Sequence, residues 1–262
     1  MYSLNHAQII GHLTAKPEVN KLDSGVAVSN LDIEVKSKIQ SANGPITVSS
    51  FITAVLWRRL AEIASEYLDK GSEVYVSGRL ETDSWEDQQG NKKYRTKLIT
   101  DDMIILSPKS GTLPPLNENL QISGGLNKTE IIGNLTKDPE LRTTPNGSMV
   151  SSFGVATSRA WKTTAGESQE KTEFHNVVVW GDLAEEVSKH LVKGRKVYIS
   201  GRLQTRSWES PTGEKRYTTE IVAEQVKSLG HSSSLSEGNN EKMEESSPIN
   251  YESEIRPEDL PF

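Results

Sequence analysis

One stretch of this chain occurs twice. Ile9-Ile10-Gly11-His12-Leu13-Thr14 returns as Ile131-Ile132-Gly133-Asn134-Leu135-Thr136. Lys70-Gly71 followed by Val74-Tyr75-Val76-Ser77-Gly78-Arg79-Leu80 returns as Lys193-Gly194 followed by Val197-Tyr198-Ile199-Ser200-Gly201-Arg202-Leu203. Each copy then reaches a tryptophan, Trp85 and Trp208. The offset is 122 residues early in the repeat and 123 later, so the copies differ by one inserted residue. Such a period lies far outside the ~20–50 residues of a solenoid repeat. The chain therefore uses one small domain twice, each long enough to close a small core but not a large one. A surface kept by both copies is the first place to look for function.

Each copy reads as strands around one short helix. Apolar residues alternate at Leu31, Ile33 and Val35, and again at Phe153 and Val155, which is the period of a half-buried strand. Leu60, Ile63, Ala64, Tyr67 and Leu68 follow helical spacing, as do Leu183, Val187 and Leu191. Lys70-Gly71 and Lys193-Gly194 are expected to end these helices with a cation and a left-handed cap. Two long strands follow in each copy, turning at Gln89-Gly90-Asn91 and at Pro211-Thr212-Gly213. Three strands, a helix and two strands is the order of the five-stranded OB barrel, which binds oligonucleotides or oligosaccharides. The expected fold is all-β: tandem OB barrels at 1–107 and 128–229, a Pro- and Gly-bearing linker at 108–127, and a tail at 230–262. The tail is rich in Ser, Glu and Asn and is expected to be disordered.

Composition narrows the chemistry. With no cysteine, disulfides, thiolate metal sites and cysteine nucleophiles are excluded. No signal peptide is visible at the N-terminus, and no apolar run approaches the ~18 residues of a membrane span. The formal charge is −6, and the tail's eight acids and two bases account for all of it. The acidic balance is thus no argument against an anionic ligand for the barrels.

Strand parity locates a shared face. Val74, Val76, Gly78 and Leu80 point one way, and Tyr75, Ser77, Arg79, Glu81, Asp83 and Trp85 the other. In the second copy Tyr198, Ser200, Arg202, Gln204, Arg206 and Trp208 form the equivalent polar set. On the preceding strand Phe51, Thr53, Val55 and Trp57 share one face, as do Phe174, Asn176, Val178 and Trp180 in the second copy. Thr53 and Asn176 mark that face as the exposed one. Each copy therefore presents a Phe and two Trp outward, with cations nearby. Single-stranded nucleic acid is held in this way, by bases stacked on rings and cations along the phosphates. Arg58, Arg59, Arg79, Lys92, Lys93 and Arg95 are the phosphate-contacting candidates of the first copy. Arg159, Lys162, Arg202, Arg206, Lys215 and Arg216 are those of the second.

Taken together, these residues resemble the bacterial single-stranded DNA-binding protein family in its tandem two-OB form. The resemblance is most specific in the second copy. It rests there on Ile132-Gly133-Asn134-Leu135-Thr136-Lys137-Asp138-Pro139-Glu140, on Pro145-Asn146-Gly147, on Glu173-Phe174-His175-Asn176-Val177-Val178-Val179-Trp180-Gly181 and on Tyr217-Thr218-Thr219-Glu220. It implies DNA-stacking roles for Trp161, Phe174, Trp180 and Trp208, and for Phe51, Trp57 and Trp85. The fourth place in the first copy falls near Ile39, which is not aromatic. Ile52 replaces the motif's histidine, and Glu81 and Asp83 add negative charge, so the first copy is expected to bind DNA more weakly or differently. Glu258-Asp259-Leu260-Pro261-Phe262 resembles the family's acidic tail tip, which implies docking of replication and repair proteins. Arg256 and Pro257 interrupt the acidic run. The resemblance further implies a homodimer with four barrels, a cytoplasmic, nucleoid-associated location, and roles in replication, recombination and repair.

Two other classes compete with this one. An OB-fold interaction scaffold in replication restart would use the aromatic faces for protein contacts. An enzyme would need clustered acids, a metal site or a positioned histidine. Asp23, Asp32, Asp101 and Asp102 are expected to have no matching acids at the corresponding places in the second copy, and the five histidines show no ligand spacing. No catalytic residue, metal or cofactor is expected. His175 falls on the buried parity and reads as a satisfied core or interface residue. RNA remains compatible, since stacking reads bases rather than sugars.

Overall fold

The computed structural model describes residues 3–41, 44–86, 90, 92–107, 125–163, 166–209 and 215–230, with backbone alone at 38–41, 92, 207–209 and 215–217. Residues 1–230 form one compact unit. The first barrel runs β1 Leu4–Leu13, β2 Val19–Lys21, β3 Ala27–Ser41, β4 Gly44–Trp57, α1 Arg59–Tyr67, β5 Glu73–Glu86 and β6 Lys92–Ile105. The second runs β7 Asn127–Leu135, β8 Glu140–Thr143, β9 Met149–Lys162, β10 Ser168–Trp180, α2 Asp182–His190, β11 Lys196–Glu209 and β12 Lys215–Leu229.

Closure is the same in both. β1 pairs with β5 on one side and β3 on the other, β3 with β4, β5 with β6, and β4 runs parallel to β6 through Ala54–Leu98 and Val55–Ile99. In the second barrel β10 meets β12 in parallel at Val177–Ile221 and Val178–Val222. These are the two five-stranded OB barrels that the strand order implied. β2 and β8 were not foreseen; each adds a short edge strand to β3 or β9 and takes no part in closure.

Alternation decides what each strand buries. Ile9, Leu31, Ile33, Val35, Ile52, Ala54, Leu56, Val74, Val76, Leu80 and Leu98 fill the first core; Ile131, Phe153, Val155, Val177, Val179, Val197, Ile199, Leu203 and Ile221 fill the second. Each helix plugs one end, with Ala61 and Ala64, or Ala184 and Val187, turned inward. Neither helix ends as expected. Leu68 and Leu191 leave their helices in extended conformation, donating N–H to Ala64 O and Val187 O. Gly71 and Gly194 do have positive φ, but they sit three residues further on, in the turn that leads into β5 or β11. The left-handed glycine therefore belongs to the turn and not to the helix. The hairpin turns at 89–91 and 211–213 lie outside the described residues apart from Gly90, though the flanking registers, Glu86–Lys92 and Glu209–Lys215, hold.

A bulge bends each hairpin at the same place. Ser77 pairs with Asp102 and Gly78 with Thr100, which leaves Asp101 as the extra residue; Ser200–Gln225 and Gly201–Ala223 leave Glu224. A Cβ on Gly78 would stand 2.0 Å from Ile99 O, and one on Gly201 2.2 Å from Val222 O. Only glycine permits this approach.

The repeat also explains how the barrels join. Only His12 and Leu13 of β1 pair with β3, so the earlier part of β1 has an open edge. β7 has the same open edge, and the two cover each other antiparallel, from Leu4–Ile132 to Ile9–Asn127. Open edges seek partners. Ala7 faces Thr129, its own counterpart in the repeat, so a local two-fold axis passes between them. Asn5 and Asn127 hold the seam by equivalent bonds. Asn5 donates to Leu80 O at 2.8 Å and accepts from Leu80 N–H at 2.9 Å; Asn127 does the same with Leu203, at 2.8 Å and 2.8 Å. Leu126, at the end of the linker, accepts from Ile10 N–H at 2.8 Å.

Candidate nucleic-acid interface

β4 and β10 leave their barrels with two large rings each on the outer face. Phe51 is 57% exposed and Trp57 41%; their counterparts Phe174 and Trp180 are 66% and 49% exposed. Ile52, Ala54 and Leu56 on the opposite parity are buried, as are His175, Val177 and Val179. Trp85 is 48% exposed at the far end of β5. Burying such rings would gain roughly 25 cal/mol per Å². The same two places, Phe51 with Phe174 and Trp57 with Trp180, are left unburied in both barrels against that gain. Trp161 differs: it is half-buried, and the Arg159 guanidinium lies over its ring at 5.3 Å. Trp208 is described by its backbone alone, opposite Arg216 as Trp85 is opposite Lys93.

Tyr94 was missed in the sequence. It is 61% exposed on β6, opposite Ser84. Strand parity would have placed it inside, because Ser84 shares the parity of Val76 and Leu80; it is exposed because both parities of β5 are exposed from Asp83 onward. Tyr94 lines a cleft of about 940 Å³ between the barrels with Phe51, Trp85, Phe174, Thr82 and Thr205. Equivalent threonine pairs brace its walls, Thr82–Thr96 at 2.9 Å and Thr205–Thr219 at 3.4 Å.

The cations separate into paired and unpaired groups. Arg79 bonds Asp101 at 3.3 Å, and Arg95 donates to Thr53 Oγ1 at 2.8 Å beside Asp32 at 3.6 Å. Arg206 pairs with Glu220 at 3.2 Å. Arg202 donates to Gln204 at 2.8 Å; burial lowers its pKa, and Glu224 opposes that. Lys93 is half-buried and has a partner. Arg58, Arg59 and Lys162 are exposed and form no ion pair among the described residues. The side chains of Lys92, Lys215 and Arg216 lie outside the described residues, as does the whole tail tip Glu258, Asp259, Leu260, Pro261 and Phe262.

The acids of the first copy are also engaged. Asp83 pairs with Lys97. Glu81 reaches across the seam to Lys171, which also bonds Glu173 at 2.9 Å. Partial burial works against the charge on Lys171, but the bonds to Glu81 and Glu173 prevail and raise its pKa. Glu173 in turn accepts from Thr82 N–H at 3.1 Å. Glu224 overturns the expectation that Asp101 has no matching acid: it lies 123 residues on, and both are bulge residues near an arginine. His175 is buried as its parity implied and shares a 2.9 Å hydrogen bond with Thr157 Oγ1. Burial pushes its pKa down to about 4. Among the described residues no group of three or more His, Asp or Glu is placed to hold a metal ion. No described helix is long and apolar enough to cross a membrane.

The chain matches the model of the single-strand binding protein family twice, over residues 4–106 and 126–229. It is 52% identical over 107 residues to single-stranded DNA-binding protein 1 of Chlorobaculum tepidum, covering 40% of this chain and 66% of that one. It is 33% identical over 225 residues to the single-stranded DNA-binding protein of Thermus aquaticus, covering 84% of this chain and 82% of that one. The crystal structure of the wild-type Thermus aquaticus protein superposes with a TM-score of 0.67 at 27% identity, covering 88% of this chain and 96% of that one.

Proposed function

The chain belongs to the single-strand binding protein family, whose members bind rather than catalyse, and from that premise we propose that it holds single-stranded DNA by stacking bases on its exposed rings. The observation that carries this reading is the duplicated exposure of Phe51 and Trp57, and of Phe174 and Trp180, on matching strands of two barrels. A ring left in water twice at equivalent places has a ligand. Stacking contributes about 1–3 kcal/mol per base and tolerates any sequence, because every base has a π-face. Trp85, Trp161 and Trp208 extend the path, and the candidate cations follow the phosphates. Tyr94 joins the rings of the first barrel.

The second barrel is the stronger binder in this reading. It has the fourth aromatic, Trp161, where the first copy has Ile39, and Glu81 and Asp83 are absent from its outer strand. The tail tip recruits replication and repair proteins: Phe262 beside the acids Glu258 and Asp259 suits an apolar pocket with a basic rim. Two chains pair to give four barrels, and the assembly protects DNA during replication, recombination and repair. The test is a titration of oligo-dT against the full-length protein and the variants Trp57→Ala, Trp85→Ala, Trp180→Ala and Trp208→Ala, singly and combined. The combined variant should lose most of its affinity while keeping its fold by circular dichroism. Unchanged affinity would move the aromatic faces to a protein contact and favour the scaffold reading.

A further inference from the structure

Arg58 is the only non-glycine residue with positive φ among the described residues, at φ 54° and ψ −126°. Its counterpart in the second barrel is Gly181, at φ 63° and ψ −143°. The backbone around both is fixed in the same way. Arg58 N–H donates to Ala27 O at 2.7 Å, and its carbonyl accepts from Glu62 N–H at 3.2 Å. Gly181 N–H donates to Met149 O at 2.9 Å, and its carbonyl accepts from Glu185 N–H, the counterpart of Glu62, at 3.4 Å and from Ala184 N–H at 2.9 Å. The fold thus imposes this conformation on whatever residue stands there. Glycine accepts it freely; an arginine there is strained. Strained residues persist where function holds them.

The side chain has work available. Arg58 directly follows Trp57 and precedes Arg59, and all three are exposed. Of the first barrel's other described candidates, Arg79 is engaged by Asp101, Arg95 by Asp32 and Thr53, and Lys93 by a partner of its own, which leaves the neighbouring Arg59 as the other one without an ion pair among the described residues. Arg58 forms no ion pair among the described residues. We infer that Arg58 is kept in a glycine conformation because its guanidinium grips the phosphate beside the base stacked on Trp57, a contact that Gly181 cannot give the second barrel. The strain is thereby exchanged for affinity in the barrel that is poorer in rings. This inference rests on the stacking reading above.

The test compares Arg58→Gly, Arg58→Ala and Arg58→Lys in the full-length protein, by thermal melting and by oligo-dT titration across salt. Arg58→Gly should raise Tm, by about 2–4 °C for each kcal/mol of strain relieved. It should also flatten the plot of log affinity against log salt by about 0.7, the contribution of one phosphate on a single strand. The wild-type advantage should then shrink roughly 2.5-fold between 50 and 200 mM salt. Arg58→Ala keeps the strain and loses the charge, so binding should fall equally without the gain in Tm. Arg58→Lys should retain the salt slope. Conversely, Gly181→Arg should lower Tm and steepen the slope. Trp57→Ala distinguishes the two levels of failure. If it weakens binding while Arg58→Gly and Arg58→Ala leave affinity and slope unchanged, the phosphate contact is wrong and stacking stands. If none of the three changes binding, stacking on Trp57 is wrong as well. An unchanged Tm in Arg58→Gly would overturn the strain.

Discussion

The buried His175 makes the stability of the second barrel depend on pH in a way the first barrel does not share. Its counterpart is Ile52, and Val35 stands where Thr157 donates or accepts its bond. In the folded chain the His175 pKa is about 4 instead of 6.5, because burial disfavours the charged ring. The unfolded chain therefore binds a proton more readily than the folded one between those values. The neutral ring's stability is fully present above about pH 6.5 and is lost as pH falls towards 4. At about 1.4 kcal/mol per unit, the whole window is worth about 3 kcal/mol. The double variant Thr157→Val with His175→Ile installs the first barrel's pair and removes this dependence, since both polar partners leave together. His175→Ile alone leaves Thr157 Oγ1 buried without a partner and should cost about 1–3 kcal/mol at every pH. Urea unfolding between pH 7.5 and pH 4.5 measures the difference between wild type and double variant, in which the shared carboxylate titrations cancel. The gap should change by about 1.4 kcal/mol per pH unit below 6, always against the wild type as pH falls. A gap independent of pH would refute a buried neutral histidine.

Two further predictions concern the scaffold. Asn5→Ala and Asn127→Ala each remove both bonds to the backbone of Leu80 or Leu203 and should each cost about 1–3 kcal/mol in urea unfolding. Equal stability of wild type and variants would mean that water replaces the clamp. Gly201→Ala places a methyl 2.2 Å from Val222 O and 2.8 Å from Ala223 Cα, so the bulge must open. A loss of about 1–3 kcal/mol, or roughly 3–10 °C in Tm, is expected by scanning calorimetry, and an unchanged Tm would contradict the register at the bulge.

Much of this was legible in the residues because period-two alternation is local. Phe51, Trp57, Phe174 and Trp180 could be placed outside, and Ile52, Ala54 and His175 inside, from spacing alone. What depends on pairing was not legible. The β1–β7 seam arises because both copies leave the same edge open, and no single copy shows that. Glu224 was legible as the counterpart of Asp101, since the offset of 123 between Lys70 and Lys193 already places it there; what the sequence did not show is that both are bulge residues. Gly71 looked like a helix cap because a left-handed glycine follows the helix, yet Leu68 had already turned the chain out. Arg79 and Arg95 looked available for phosphate until their cross-strand acids were seen. Tyr94 was overlooked because alternation stops at the hairpin's end, where Asp83, Ser84, Trp85 and Glu86 are exposed on both parities.

On the stacking reading, the exposed rings lie under the bases of single-stranded DNA. Intrinsic tryptophan fluorescence of the full-length protein, titrated with oligo-dT and with duplex of equal length, tests it most directly. Strong quenching by oligo-dT that weakens with salt, with little response to duplex, is the predicted result. Absence of quenching by oligo-dT at saturating binding, or equal quenching by both, would contradict it.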